Sequence, residues 1–299
     1  MSLVLTLIAD PARQSLDAAL IDAAEAALAD AGAIATGRDW LADGIALDIS
    51  LTAADPAQAE SALRTRLEGA AVDMAIQKPD GRRKKLLLAD MDSTIVTSET
   101  LDELAAYAGL KDKIAAITAR SMNGEIDFAT ALRERVAMLK GLSADALDKT
   151  YAQIELTPGA RTLVQTMRQH GARTALVSGG FTWFTERVRE RCGFHLDRAN
   201  VLNLENGLLT GTVAEPILDR DAKLRALNEL SAELSLTPDA AVTVGDGAND
   251  LAMLKAAGLG VAFRAKPIVA AEARFRLDYT DLTSLLYLQG YRAGELVEP

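Results

Sequence analysis

Hydrophobic positions follow one rhythm over the first quarter of this 299-residue chain and another over the rest. Residues 3–9 form a short apolar run, after which Leu16, Leu20, Ala24, Ala27 and Leu28 recur at helical spacing. Residues 33–40 and 45–51 read as two strands turning at Ala42, Asp43 and Gly44. Asp55 and Pro56 fit a helix start, with Asp as the cap and Pro at the first helical position, and 71–76 reads as a closing strand. The predicted order is βαββαβ. From residue 85 the pattern changes to short, wholly apolar runs at 86–89, 174–177, 241–244 and 259–262, separated by helical stretches. Such runs suit strands buried on both faces, and so a parallel, Rossmann-like α/β sheet. Between the first two lies a long helical insertion at about 97–156 whose apolar positions include Ile114, Ile117, Leu132, Val136 and Leu139. It is expected to form a small helical cap over the carboxyl edge of the sheet.

The βαββαβ order over residues 1–77 is the ferredoxin-like α+β pattern. It resembles an ACT-type module, which implies regulation or a homodimer formed through this domain. Residues 78–84 then form the expected linker to a second domain at 85–299. Pro79 and Gly81 break regular structure there, and the basic residues up to Lys85 read as a solvated hinge rather than a nucleic-acid patch.

Composition narrows the function classes. Asp and Glu number 42 against 32 Lys and Arg, a formal charge of -10, which weighs against binding a nucleic-acid backbone. A metal ion and a few placed cations can still reverse the sign locally for a small anionic substrate. Cys192 is the single cysteine, so no internal disulfide forms and a reducing cytoplasm is the expected setting. No secretory leader is legible at the start. No uncharged apolar stretch approaches the roughly 20 residues a membrane span needs, so no membrane partner is expected.

Three of the apolar runs end in small polar clusters: DMDST at 90–94, SGG at 178–180 and GDGAND at 245–250. In an open α/β sheet ligands bind beyond the carboxyl ends of the strands, so these clusters are expected to converge. Asp90, Asp92, Asp246 and Asp250 would then crowd one volume and raise one another's pKa values unless a cation intervenes. Oxygen ligands of this kind suit Mg²⁺. A carboxylate is a competent nucleophile, and phosphoryl transfer needs mainly positioning and charge stabilisation. Ser178 offers a hydroxyl, and the Gly179–Gly180 backbone leads into a helix expected from Phe181, whose free N–H groups would favour an anion. On spacing alone Lys223, four residues after Asp219, reads as a surface ion pair. Glu99 and Arg135 likewise read as surface charges, although a Glu can pair with an ammonium and an Arg can clasp a carboxylate.

Taken in order, DMDST, SGG and GDGAND, with Lys223 between the last two, resemble the haloacid dehalogenase (HAD) superfamily. The resemblance implies that Asp90 attacks phosphorus to form an aspartyl-phosphate and that Asp92 is the acid for the leaving alcohol, then the base for water. It also implies Mg²⁺ held by the carboxylates of Asp90 and Asp246 and the backbone carbonyl of Asp92, with Asp250 behind them and Lys223 on the phosphate. The spacing of Glu99 and the segment from Met122 through Phe128 to Arg135 resemble the cap of the superfamily's phosphoserine phosphatases. That implies Glu99 on an amino group, Arg135 on a carboxylate, Met122 and Phe128 lining the pocket, and Asn249, Ser178 and Gly179 in contact with substrate. Arg133 is the alternative clasp. O-phosphoserine is the expected small-molecule partner. Another small phosphomonoester, transfer to an alcohol such as homoserine, and a non-hydrolytic phosphoacceptor or amino-acid-sensing module stay open.

Overall fold

A computed structural model describes the whole chain except residues 11, 13–15, 123, 124, 220 and 299 and the side chain of Met122. The elements begin with β1 (Ser2–Ala9), α1 (Ala18–Asp30), β2 (Ile34–Ala42), β3 (Ala46–Thr52), α2 (Pro56–Arg66) and β4 (Val72–Gln77). Next come β5 (Leu86–Ala89) and four helices, α3 (Thr100–Ala106), α4 (Lys111–Met122), α5 (Phe128–Ala137) and α6 (Asp145–Ala152). They are followed by α7 (Ala160–Gln169), β6 (Arg173–Phe181), α8 (Thr182–Cys192), β7 (Leu196–Asn200), β8 (Leu202–Glu205) and β9 (Leu208–Val213). The chain ends with α9 (Ala222–Glu233), β10 (Ala241–Gly245), α10 (Leu251–Ala256), β11 (Leu259–Phe263), α11 (Pro267–Glu272), β12 (Phe275–Leu277) and α12 (Ser284–Leu288). By packing it divides into two compact units.

One unit joins Met1–Lys85 to Pro158–Ala172 and Arg274–Pro299. Its antiparallel sheet has the order β2-β3-β1-β4, which with two helices gives the ferredoxin-like arrangement. Strand alternation explains the core: Leu3, Leu5 and Leu7 on β1 and Leu47, Ile49 and Leu51 on β3 are buried with Ile21, Leu28 and Leu63 from the helices. Asp17 and Asp55 cap α1 and α2 by accepting backbone N–H groups, as the Asp-Pro start of α2 predicts.

The alternate positions hold a polar network. Thr6 and Asp48 face each other in register, and the Thr6 hydroxyl donates to Asp48 Oδ1 at 2.7 Å. Arg82, expected from its basic run to sit in solvent, instead donates to Asp48 Oδ2 at 2.5 Å, to Thr6 Oγ1 at 2.9 Å and to the carbonyls of Tyr287 and Leu288 at 3.2 Å. Its side chain is only 11% exposed. Asp73 on β4 accepts the backbone N–H groups of Asp278, Tyr279 and Thr280 and the Thr280 hydroxyl, while its burial pushes the carboxyl pKa up.

The other unit comprises Leu86–Thr157 and Arg173–Ala273. Five of its strands lie in the order β11-β10-β5-β6-β7 and pair in parallel, and β8 and β9 form a separate antiparallel pair. Every residue of β5, β10 and β11 is buried, as their unbroken apolar runs predict. β6 runs longer than 174–177 and carries Ser178, Gly179 and Gly180 at its end. Helices α3–α6 form the predicted insertion. Its two ends are clamped together by a bridge between Val96 and Leu156 and by the bonds Thr97 N–H to Glu155 O and Thr157 N–H to Ile95 O.

Arg82→Ala strands the Asp48 carboxylate, so it should lower the unfolding free energy by about 3 kcal/mol in urea titration. Arg82→Ala combined with Asp48→Ala should cost less than the two single losses added. A loss below about 0.5 kcal/mol in the single variant would mean the pair is screened like an exposed one.

Candidate active site

The carboxyl ends of β5, β6 and β10 lie side by side, because β5 pairs with both neighbours. Asp90 follows directly on β5, and its N–H donates to Val244 O at 3.0 Å, tying the two strand ends together. The chain then makes an irregular turn, Met91–Ile95, in which Ser93 takes a positive φ of 53°. This turn brings both Asp90 and Asp92 to the strand ends.

Asp92 is aimed by two donors. Thr100 N–H reaches its Oδ1 at 2.8 Å, and the Ser178 hydroxyl reaches Oδ2 at 3.2 Å. Ser178 Oγ accepts Gly180 N–H at 2.8 Å, so its own proton is directed to Asp92. Burial, and after it the charge of Glu99, pushes the Asp92 carboxyl up to about 7. Glu99 is itself held by the Ser93 hydroxyl at 2.8 Å.

Asp250 is folded back beneath β10. Its Oδ2 accepts Gly247 N–H at 2.9 Å and its Oδ1 receives the Lys223 ammonium at 2.5 Å. A Cβ on Gly245 would lie 2.3 Å from Asp250 Cγ, so this position accepts only glycine. Lys223 also contacts Asp90 Oδ1 at 2.7 Å. Burial works against the Lys223 charge, but Asp250 and Asp90 outweigh it and raise its pKa. The surface pair with Asp219 does not form; Asp219 pairs with Arg225 at 2.7 Å. Burial first, then Asp250, holds the Asp90 carboxyl well above its ordinary range and pushes Asp246 up to about 6.

Asp90, Asp246 and Asp250 each place a carboxylate oxygen within 4.8 Å of the others. Both oxygens of Asp250 are engaged, and the Asp90 contacts among the described residues fall on Oδ1. Asp90 Oδ2 is left over, and Asp246 has only long side-chain contacts among the described residues, the Thr94 hydroxyl at 3.4 Å and the Lys266 ammonium at 3.6 Å, so these two carboxylates can meet a cation. Lys223 offsets one of the three carboxylates and Lys266 faces another; the remaining carboxylate oxygens are of the kind that suit a divalent ion.

These groups open into a cavity of about 640 Å³ whose lining includes Asp90, Asp92, Glu99, Arg135, Ser178 and Asn249. Gly179 and Asp246 also line it. From the cap, Arg135 is buried; its Nε–H goes to Ala131 O at 3.1 Å and Nη1 to Thr118 Oγ1 at 3.0 Å. Burial lowers its pKa, opposed by the charges of Asp102, Glu99 and Asp92. Arg133 is exposed and pairs with Glu215 at 2.7 Å, so the structure brings Arg135 and not Arg133 to the cavity. Phe128 lines the cavity against Gly179, where an added Cβ would lie 2.8 Å from Cζ of the ring. The expectation for Met122 falls outside the described residues.

Four participants were not singled out from the sequence: Ser93, Thr100, Thr118 and Lys266. Lys266 lines the cavity beyond β11, lies 3.6 Å from Asp246 Oδ2, and donates its N–H to Asp246 O at 3.2 Å. The rule that polar groups at the carboxyl edge meet the ligand, applied to the fourth apolar run, would have found it.

Residues 84–258 match the family described as haloacid dehalogenase-like hydrolase. The phosphoserine phosphatase of Streptomyces coelicolor is 40% identical over 253 residues, which cover 84% of this chain and 62% of that protein, so less than two thirds of the relative's length is spanned. A probable phosphoserine phosphatase from Vibrio cholerae, solved unliganded, aligns with a TM-score of 0.78 and 29% identity over 98% of this chain and 88% of that one. A phosphoserine phosphatase solved as a phospho-aspartyl intermediate analogue aligns with a TM-score of 0.65 and 38% identity over 68% of this chain and 98% of that one. The chain belongs to the haloacid dehalogenase-like hydrolases.

Proposed function

We propose that this chain is a Mg²⁺-dependent phosphoserine phosphatase, which hydrolyses O-phospho-L-serine to L-serine and phosphate through an aspartyl-phosphate on Asp90. The observation that carries this is one cavity lined both by the Asp90–Asp92 pair and by a carboxylate and a guanidinium, Glu99 and Arg135. An amino-acid phosphate presents the matching ammonium and carboxylate. The relatives called phosphoserine phosphatases support the same substrate, and the one solved as a phospho-aspartyl analogue supports the covalent step.

In the first step Asp90 attacks phosphorus, its oxygen–phosphorus bond forms, and the bond from phosphorus to the serine oxygen breaks. Asp92, with its pKa near 7, is available in protonated form and gives its proton to that departing oxygen. In the second step water attacks phosphorus, the bond to Asp90 breaks, and Asp92 takes a proton from the water. Lys223, anchored by Asp250, offsets the charge on the phosphoryl oxygens, and Ser178 with the Gly179 backbone orients them. The carboxylates of Asp90 and Asp246 and the carbonyl of Asp92 would hold Mg²⁺, which when bound would neutralise phosphoryl charge. Glu99 pairs with the substrate ammonium, Arg135 clasps the carboxylate, and Asn249 contacts the substrate. An ACT-like domain at 1–77 that serves regulation or homodimer formation completes the proposal, with the cytoplasm as its setting. No described helix is long and apolar enough to cross a membrane.

Phosphate release from a panel of small phosphomonoesters tests the substrate. Phosphoserine should be strongly preferred, and excess chelator should abolish turnover; a different preferred ester would mean that Glu99 and Arg135 do not recognise an amino acid. Asp90→Asn should lower kcat by at least about 10⁴-fold with an unchanged circular dichroism spectrum. Substantial residual turnover there would exclude Asp90 as nucleophile. Arg135→Ala should raise KM for phosphoserine by about 100-fold, and by no more than about threefold for O-phosphoethanolamine, which lacks the carboxylate. Equal losses on both esters would show that Arg135 acts only in packing.

A further inference from the structure

Arg135 is a long side chain that must present a planar fork to a small carboxylate, and ordering a freely rotating side chain on binding would cost rotamer entropy. It carries five N–H donors. The fold uses two of them: Nε–H on Ala131 O at 3.1 Å, one turn back on α5, and one Nη1–H on Thr118 Oγ1 at 3.0 Å, from α4. Three remain, and among the described residues no acceptor meets Nη2. The guanidinium is therefore held at two of its three nitrogens, so its plane is set before any ligand arrives.

Thr118 is built for this contact. Its hydroxyl donates to Ile114 O at 3.1 Å, one turn back on α4. A hydroxyl has one proton and two lone pairs, and with that proton committed the oxygen can only accept from Arg135. Both residues line the cavity, and Arg135 is buried. Desolvation makes a bond between a charged donor and a neutral acceptor worth more there than in water.

We propose that Thr118 is a positioning residue that sets the plane of the Arg135 guanidinium and thereby tunes selectivity for phosphate esters carrying an α-carboxylate. This rests on the phosphoserine phosphatase reading and adds to it a residue that need not touch substrate. A threonine bonding back along its own helix is common in helices and alone has no functional content. The second bond, across to Arg135, supplies it.

The test compares Thr118→Val, which keeps the branched shape and removes the hydroxyl, with Thr118→Ser, which keeps the hydroxyl. Both are assayed with Mg²⁺ on O-phosphoserine and on O-phosphoethanolamine, wild type first. Thr118→Val should raise KM for phosphoserine about tenfold while its kcat, and both constants for phosphoethanolamine, stay within about twofold. Thr118→Ser should restore the phosphoserine KM. In an Arg135→Ala background, Thr118→Val should add nothing, because its effect passes through the missing side chain. Equal losses on both esters, failure of serine to rescue, or an additive effect in that background would overturn the inference and leave the function standing. A wild-type protein that fails to prefer phosphoserine over phosphoethanolamine would overturn the proposed function, and this inference with it.

Discussion

Three carboxylates packed around one ammonium are the constraint on which the site depends. Asp90, Asp246 and Asp250 are all buried, and burial alone disfavours each charge. Lys223, itself buried, lies between Asp90 and Asp250 and compensates one charge. The Gly247 N–H compensates Asp250 further, which leaves Asp90 and Asp246, the latter 3.6 Å from Lys266, as the carboxylates placed to meet a cation. The same balance explains the backbone. Gly245 lets Asp250 turn back under the strand, and the tie between Asp90 N–H and Val244 O fixes the distance between the two acidic clusters. A single added methyl at Gly245 would displace the Asp250 side chain, and the loss of Lys223 would leave Asp90 and Asp250 without their shared cation.

The cap solves the complementary problem. In the proposed reading, a site built only from strand ends would bind any small phosphomonoester, since Lys223, Ser178 and the carboxylates of Asp90 and Asp246 would address only the phosphate and a metal ion. Glu99 and Arg135 come from the inserted segment, and both are restrained by neutral hydroxyls, Ser93 and Thr118, rather than by each other. Pairing Glu99 directly with Arg135 would neutralise both and leave nothing for an amino acid to recognise. Their separate restraints keep one negative and one positive group available in the same cavity, which is a requirement for selecting a zwitterion.

Much of this was legible in the sequence because it depends on local pattern. Unbroken apolar runs give β5, β10 and β11, and the polar residues immediately after them must lie at the carboxyl edge. The βαββαβ order likewise follows from alternation and from the Asp-Pro start of α2. What was not legible depends on where distant segments meet. Lys223 reads locally as a partner for Asp219; the family resemblance sent it to the phosphate, and its contacts with Asp90 and Asp250 appear only in the structure. The Thr118–Arg135 bond joins two helices across 17 residues, and nothing in the spacing announces it. Arg82 sits in a basic run that reads as solvated, yet its partners are Asp48 on β3 and carbonyls some 205 residues later. In each case the sequence names the charge but not the acceptor.

Three hydroxyls in this chain share one physical device. Thr6 accepts from Arg82 and donates to Asp48; Ser178 accepts from Gly180 N–H and donates to Asp92; Thr118 accepts from Arg135 and donates to Ile114 O. A hydroxyl with its one proton committed has a defined direction for its remaining lone pair, so it fixes orientation without adding charge. A second carboxylate in its place would have bound Arg135 more strongly and blunted the field that the carboxylate of the proposed substrate would feel. A methyl would have left the fork unheld. The hydroxyl lies between these extremes, which is why short Ser and Thr side chains stand where this fold must aim a charged group and still leave it able to act.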